Sequence, residues 1–235
     1  TRDLFRQYHS FASTLLDRVF LLTGKYDEFD LDIHGEDLLL DYARKKQGCL
    51  LLGSHLGSFD IAQASRVKFF EDIEELPIKI LMNEEVTVAL SKIFKRLNPR
   101  VAKTIIPLGA PDAMLQVKEA LDRGELIGIL GDRSVKGQKV VPCKFMGKEV
   151  NLPAGPIVLA TILKVPVILF FGLYLGGNRY EIYFEKFIEE LTIDRKSRDQ
   201  AIGEWTQRYA ERLEYYCRKA PHNWFNFFDF WHEDG

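Results

Sequence analysis

The stretch Gly53-Ser54-His55-Leu56-Gly57-Ser58-Phe59-Asp60 places an imidazole and a carboxylate five positions apart in a glycine-flanked loop. An imidazole titrates near working pH and can take a proton from a hydroxyl. A carboxylate beside it fixes the tautomer and stabilises the imidazolium formed in the transition state. A loop turning back at Gly57 would bring Asp60 against His55, and the chemistry such a pair can serve is activation of a hydroxyl nucleophile. Ser54 and Ser58 lack the Gly-x-Ser-x-Gly elbow of a serine nucleophile. They are expected as capping and substrate-binding neighbours of the base, with Ser58 placed to cap the next helix. Backbone N–H groups at that helix start are expected to stabilise an oxyanion. Taken singly, a histidine near a strand end is more often structural, and Asp60 serves equally as a first-turn carboxylate facing the helix dipole.

These residues must be positioned by strands and helices in alternation. Cys49 to Leu52 is a continuous apolar run, suited to a strand buried on both faces. An apparent helix follows from Phe59 to Phe70. Further strands are expected at Ile78–Met82, Lys103–Pro107 and Leu126–Leu130, with helices at Glu85–Leu97 and Asp112–Asp122. Residues Val140 to Val150 read as a hairpin around Met146-Gly147, followed by a helix from Ala154 to Leu163. Val165–Tyr174 and Tyr180–Phe184 read as paired strands joined through Gly176-Gly177-Asn178. Helical spacing also marks Arg2–Thr23, Glu36–Lys46 and Asp199–Lys219. The fold class is therefore α/β, a sandwich with a mixed, largely parallel central sheet flanked by helices. In such sheets ligands bind beyond the carboxyl ends of the strands, which is where His55 falls. Asp132 and Arg133 follow the strand ending at Leu130 and should share that edge.

With 235 residues, 46% of them hydrophobic and 28% charged, the chain can bury a substantial core as one domain spanning 1–235. A net charge of −2 gives no global attraction to nucleic acid, and no nucleic-acid partner is expected. Cys49, Cys143 and Cys217 are far apart and odd in number, so free thiols in a reducing compartment are expected. No apolar stretch reaches the roughly 18 to 20 residues of a membrane-spanning helix. The chain opens at Thr1 rather than Met, which admits an upstream piece.

The string from Gly53 to Asp60 resembles the His-x4-Asp signature of the glycerolipid acyltransferase superfamily, and the chain resembles the bacterial late acyltransferases of lipid A biosynthesis. Gly128 to Arg133, the segment Pro142 to Gly147, and Leu152-Pro153-Ala154-Gly155-Pro156 match family elements in order, and the likeness spans about residues 2 to 231. The resemblance implies transfer of an acyl chain from acyl carrier protein or acyl-coenzyme A to a hydroxyl or amine of a membrane lipid or glycolipid. It implies His55 as general base oriented by Asp60 and no acyl-enzyme; no cofactor is expected, and no spacing of cysteines or histidines suggests a metal. It also implies peripheral membrane contact at the cytoplasmic face of a bacterial inner membrane, with any anchor lying outside this sequence. Two departures stand out: Asp60 where many lipid A members carry Glu, and Arg133 after Asp132. They bear on the acceptor rather than the chemistry. The alternatives are a thioester or ester hydrolase acting on water, and an inactive module binding lipid or carrier protein.

Asp132 and Arg133 are expected to bind substrate, Arg133 by bidentate contact with a phosphate; a local ion pair is the plainer alternative. Lys136, Lys139, Lys144 and Lys148 surround the hairpin and are expected mainly as a solvated basic loop, with grip on an acidic carrier or headgroup as the other reading. The amino-terminal helix and the aromatic run Trp224 to Trp231 admit two readings each, packing on the core or resting in lipid. His9, His34, His222 and His232 are assigned no role.

Overall fold

The computed structural model describes residues 1–62, 64–65, 77–83, 98, 103–134, 137–189 and 196–231. Its centre is β2 (Cys49–Gly53), buried at every residue, as the unbroken apolar run requires. On one side β2 pairs in parallel with β5 (Leu126–Leu130), then come β3 (Ile78–Asn83) and β4 (Ile105–Leu108), all parallel. On the other side β2 pairs in parallel with β8 (Val167–Gly176). The hairpin partner β9 (Arg179–Ile188) runs antiparallel to β8, and β1 (Asp30–His34) lies parallel to β9 at the edge. The seven-stranded order is β1-β9-β8-β2-β5-β3-β4, a mixed and mostly parallel sheet. The expected fold class is borne out. The hairpin β6 (Val140–Phe145) and β7 (Lys148–Pro153) forms its own two-stranded sheet rather than extending the central one.

Alternation of side chains along the strands splits the core into two layers. Leu50, Leu52, Leu169 and Phe171 face α3 (Ala113–Asp122), α4 (Gly155–Leu163) and α5 (Arg198–Lys219) through Val117, Ile157 and Leu213. Cys49, Leu51, Ile168 and Phe170 face Leu39 and Tyr42 of α2 (Glu36–Arg44) and Leu21 of α1 (Arg2–Leu22). The three cysteines are free and buried. Five helices are thus defined among the described residues. The expected helix at 85–97 and half of the one at 59–70 lie outside those residues. Ile61 and Ala62 are helical.

One element had no counterpart in the sequence reading. β1 is Asp-Leu-Asp-Ile-His, short and polar at alternate positions, with only Leu31 and Ile33 turned inward. Its edge place beside β9 explains that pattern, since one face and one backbone edge stay in water.

Candidate active site

Register places the site. β2 and β5 are parallel neighbours, with Gly53 opposite Leu130, and the Gly131 N–H donates to the Gly53 carbonyl at 3.0 Å. Two residues beyond each of those strand ends stand His55 and Asp132, level with one another. His55 Nδ1 lies 2.8 Å from Asp132 Oδ1. The other carboxylate oxygen accepts the His55 backbone N–H at 3.0 Å and the Trp224 indole N–H at 3.2 Å. Asp132 is 1% exposed. Burial pushes its pKa up, but attraction to His55, the hydrogen bonds from that residue and the Arg133 charge outweigh it and hold the carboxyl below its ordinary value. An ionised carboxylate only accepts hydrogen bonds, so Nδ1 carries the proton and Nε2 of the neutral ring carries the lone pair. The imidazole is 34% exposed, and Nε2 makes no hydrogen bond among the described residues.

The expected contact between His55 and Asp60 is not made. Asp60 Oδ2 accepts from Arg18 of α1, at 2.7 Å from Nε and 2.6 Å from Nη2. The correction has a simple physical origin: the loop after His55 is held away from Asp60 by pairing on two sides. The Gly57 N–H donates to the Asn223 carbonyl at 2.8 Å, and the Ser58 N–H to Gly172 of β8 at 2.9 Å. Those two N–H groups and that of His55 are therefore committed. Ser54 and Ser58 are buried in the wall of the site.

Gly57 is required by this stitching. Its φ is +69°, and a Cβ there would lie 1.9 Å from the Gly172 carbonyl oxygen. Gly57→Ala is expected to cost at least about 1–3 kcal/mol from the backbone conformation alone, with more from displacing β8. Urea denaturation of the variant beside the parent protein measures the loss.

A cleft of about 330 Å³ opens beside the imidazole. Its lining includes His55, Gly57, Ser58, Asp60, Arg18 and Arg133, with apolar walls from Phe11, Leu15, Phe59, Leu130, Phe227 and Phe228. Arg133 donates to the Phe225 carbonyl, and its guanidinium lies 5.5 Å from the centre of the Phe228 ring. Beneath the site the Tyr209 hydroxyl donates to the Gly53 carbonyl at 2.8 Å. Burial first, then the Asp132 charge, keep that phenol well above its ordinary pKa, so it stays a neutral donor. Asn223 fastens the last segment to β8: its side chain accepts from the Tyr174 N–H at 2.6 Å and donates to the Tyr174 carbonyl at 3.2 Å. Arg18, Tyr209 and Asn223 had escaped sequence reasoning. Each acts across more than 40 residues, and no local spacing signals such contacts.

Of the hairpin lysines, Lys139 pairs with Asp199 at 2.6 Å and Lys148 lies over the Trp231 ring at 5.5 Å. Lys144 is exposed, and Lys136 lies outside the described residues. Among the described residues, Asp32, His34 and Glu181 are the group close enough to gather round a cation, but Lys219 already places its ammonium 3.0 Å from Glu181. The cleft thus combines a supported imidazole, an arginine and apolar walls, which suits an acyl chain and a polar reacting group together. The profile of the bacterial lipid A biosynthesis acyltransferases matches residues 8–233, nearly the whole chain. No curated protein matches the sequence.

Proposed function

Since the chain belongs to the bacterial lipid A biosynthesis acyltransferase family, we propose that it carries a fatty-acyl group from a thioester, on acyl carrier protein or coenzyme A, to a hydroxyl or amine of a membrane lipid or glycolipid. His55 is the general base, and Asp132 rather than Asp60 orients it. The observation that carries this reading is the imidazole at the cleft, with Nδ1 on a buried, ionised carboxylate.

Nε2 of His55 takes the proton of the acceptor hydroxyl as its oxygen attacks the thioester carbonyl carbon. The carbonyl π electrons move to oxygen and give a tetrahedral oxyanion. Asp132 stabilises the imidazolium formed at that moment, by charge and by the hydrogen bond at Nδ1. Arg133, in the cleft wall, supplies positive charge for the oxyanion or for a phosphate of either substrate. Collapse of the intermediate breaks the carbon–sulfur bond, and the departing thiolate takes the proton from Nε2–H. Ester and thiol are the products, and the base is restored without an acyl-enzyme.

Asp60 has a positioning role in this scheme. Its ion pair with Arg18 fastens α1 across the cleft, and Ser54, Gly57 and Ser58 shape the wall against which substrate lies. The proposed place of action is the cytoplasmic face of the inner membrane. No helix among the described residues is long and apolar enough to cross a bilayer.

The test is a product assay with purified protein and radiolabelled acyl-thioester, with and without a lipid acceptor fraction from bacterial membranes. Acylated lipid formed only in the presence of acceptor is expected, with its mass raised by one acyl group. Free fatty acid released equally in both mixtures would make the protein a hydrolase and overturn the transfer reading.

A further inference from the structure

Over most of its length α1 buries polar groups and exposes apolar ones. From Gln7 to Arg18 its protein-facing side carries polar residues around Phe11: Gln7 donates to the Trp224 carbonyl at 2.7 Å, Thr14 is buried, Asp17 accepts from the Tyr180 hydroxyl at 2.6 Å, and Arg18 holds Asp60, while Leu21 and Leu22 at the carboxyl end are buried. Its outward side is apolar. Leu4, Tyr8, Leu15 and Val19 form one row at helical spacing, with Phe5 and Leu16 flanking it. Phe5 is 69% exposed, Leu16 60% and Leu4 54%. A helix in water turns these faces the other way round. Such a large contiguous apolar patch marks contact with another apolar medium.

The patch continues into the carboxy-terminal aromatics. Tyr8 stacks on Phe227 with ring centres 4.9 Å apart, and Phe228 and Trp231 are exposed beyond it. Leu15, Phe227 and Phe228 belong both to this surface and to the wall of the His55 cleft. The apolar surface therefore runs without a break into the site.

We propose that the outward face of α1 and the adjoining aromatics Phe227, Phe228 and Trp231 form a lipid-docking surface. It lies flat on the bilayer and opens the His55 cleft directly to it. The choice of a lipid surface over a second copy of the chain rests on that continuity and on the acyltransferase reading, since a water-insoluble acceptor must reach His55 past Leu15 and Phe228. Amphipathic helices with aromatic neighbours settle in this way at the boundary between headgroups and acyl chains. Exposed Arg2 on the flank of α1 adds attraction to anionic headgroups, while Arg6 is paired with Asp3 at 3.9 Å.

The test is co-sedimentation with vesicles of phosphatidylethanolamine and phosphatidylglycerol. It compares the parent protein with a variant carrying Leu4→Gln, Phe5→Gln and Leu16→Gln. These positions lie outside the cleft, and glutamine favours helix, so circular dichroism should be unchanged. The parent protein should pellet with vesicles, and the variant's partition coefficient should fall at least tenfold. Turnover of acceptor embedded in vesicles should fall with it, while turnover of acceptor dispersed in detergent micelles should hold. Failure of the parent protein to pellet would overturn the proposal, as would equal pelleting of the variant. So would a parent dimer in sedimentation velocity that the three substitutions split without altering vesicle binding. Pelleting needs no turnover, so a protein that docks through this face yet transfers no acyl group keeps this inference and loses only the catalytic reading.

Discussion

Asp132→Asn is expected to lower kcat by about 10³- to 10⁴-fold, the scale at which neutralising the orienting carboxylate of an imidazole base acts. The asparagine oxygen can still accept the N–H groups of His55 and Trp224 that Oδ2 accepts now, so the backbone should stay in place. The amide nitrogen then faces Nδ1, where a donor is useless to a donor. The ring responds by carrying its proton on Nε2, the atom that must be bare to receive one, and the imidazolium loses its counter-charge. Two readouts separate this from damage to the fold. The far-downfield proton resonance of a histidine Nδ1–H bound to a carboxylate should be present in the parent protein and absent in Asp132→Asn. It should persist in Asp60→Asn, whose effect should appear as weakened attachment of α1 through Arg18. Loss of that resonance in Asp60→Asn with retention in Asp132→Asn would reverse the assignment of partner.

His55→Ala is expected to reduce kcat by roughly 10² to 10⁴. Removing the ring also takes the Nδ1–H donor away from Asp132 Oδ1, a carboxylate only 1% exposed in the parent protein. An unsatisfied buried acceptor costs about 1–3 kcal/mol, more for a charged one, so the variant should unfold at lower urea concentration while giving a native circular dichroism spectrum below that point. Single-turnover kinetics on acyl-thioester with acceptor measures the catalytic part separately from stability. Retention of more than a tenth of the parent rate would remove His55 from the chemistry.

The contrast between Asp60 and Asp132 shows what was legible in the residues alone. The apolar run Cys49 to Leu52 and the Leu126 to Leu130 run announce buried strands, and each is followed by residues that must emerge at the carboxyl edge. His55, Asp132 and Arg133 could therefore be assigned to one rim. Which carboxylate meets the imidazole depended on β5 being inserted between β2 and β3, a long-range pairing that no local pattern encodes. Nearness along the chain favoured Asp60, but the stitches from Gly57 and Ser58 to Asn223 and Gly172 decided otherwise. α1 was visible as a helix from its spacing. Its orientation was not, because periodicity shows that a helix has two faces and says nothing of which one meets the protein. β1 went unseen because Asp30, Asp32 and His34 dilute its apolar alternation.

The clasp formed by Asn223, Trp224 and Phe225 has a consequence for synthesis. These residues fix the Gly57 N–H, the Asp132 carboxylate and the His55 carbonyl, and only the cleft-lining Phe227 and Phe228 follow them in chain order among the contributors to the site. A nascent polypeptide emerging from the ribosome carries β2 and β5, with His55 and Asp132 beyond their ends, well before residue 223 is translated. Its reactive loop stays unfastened until that late segment arrives. A chain still short of residue 223 therefore lacks all three of these fastenings.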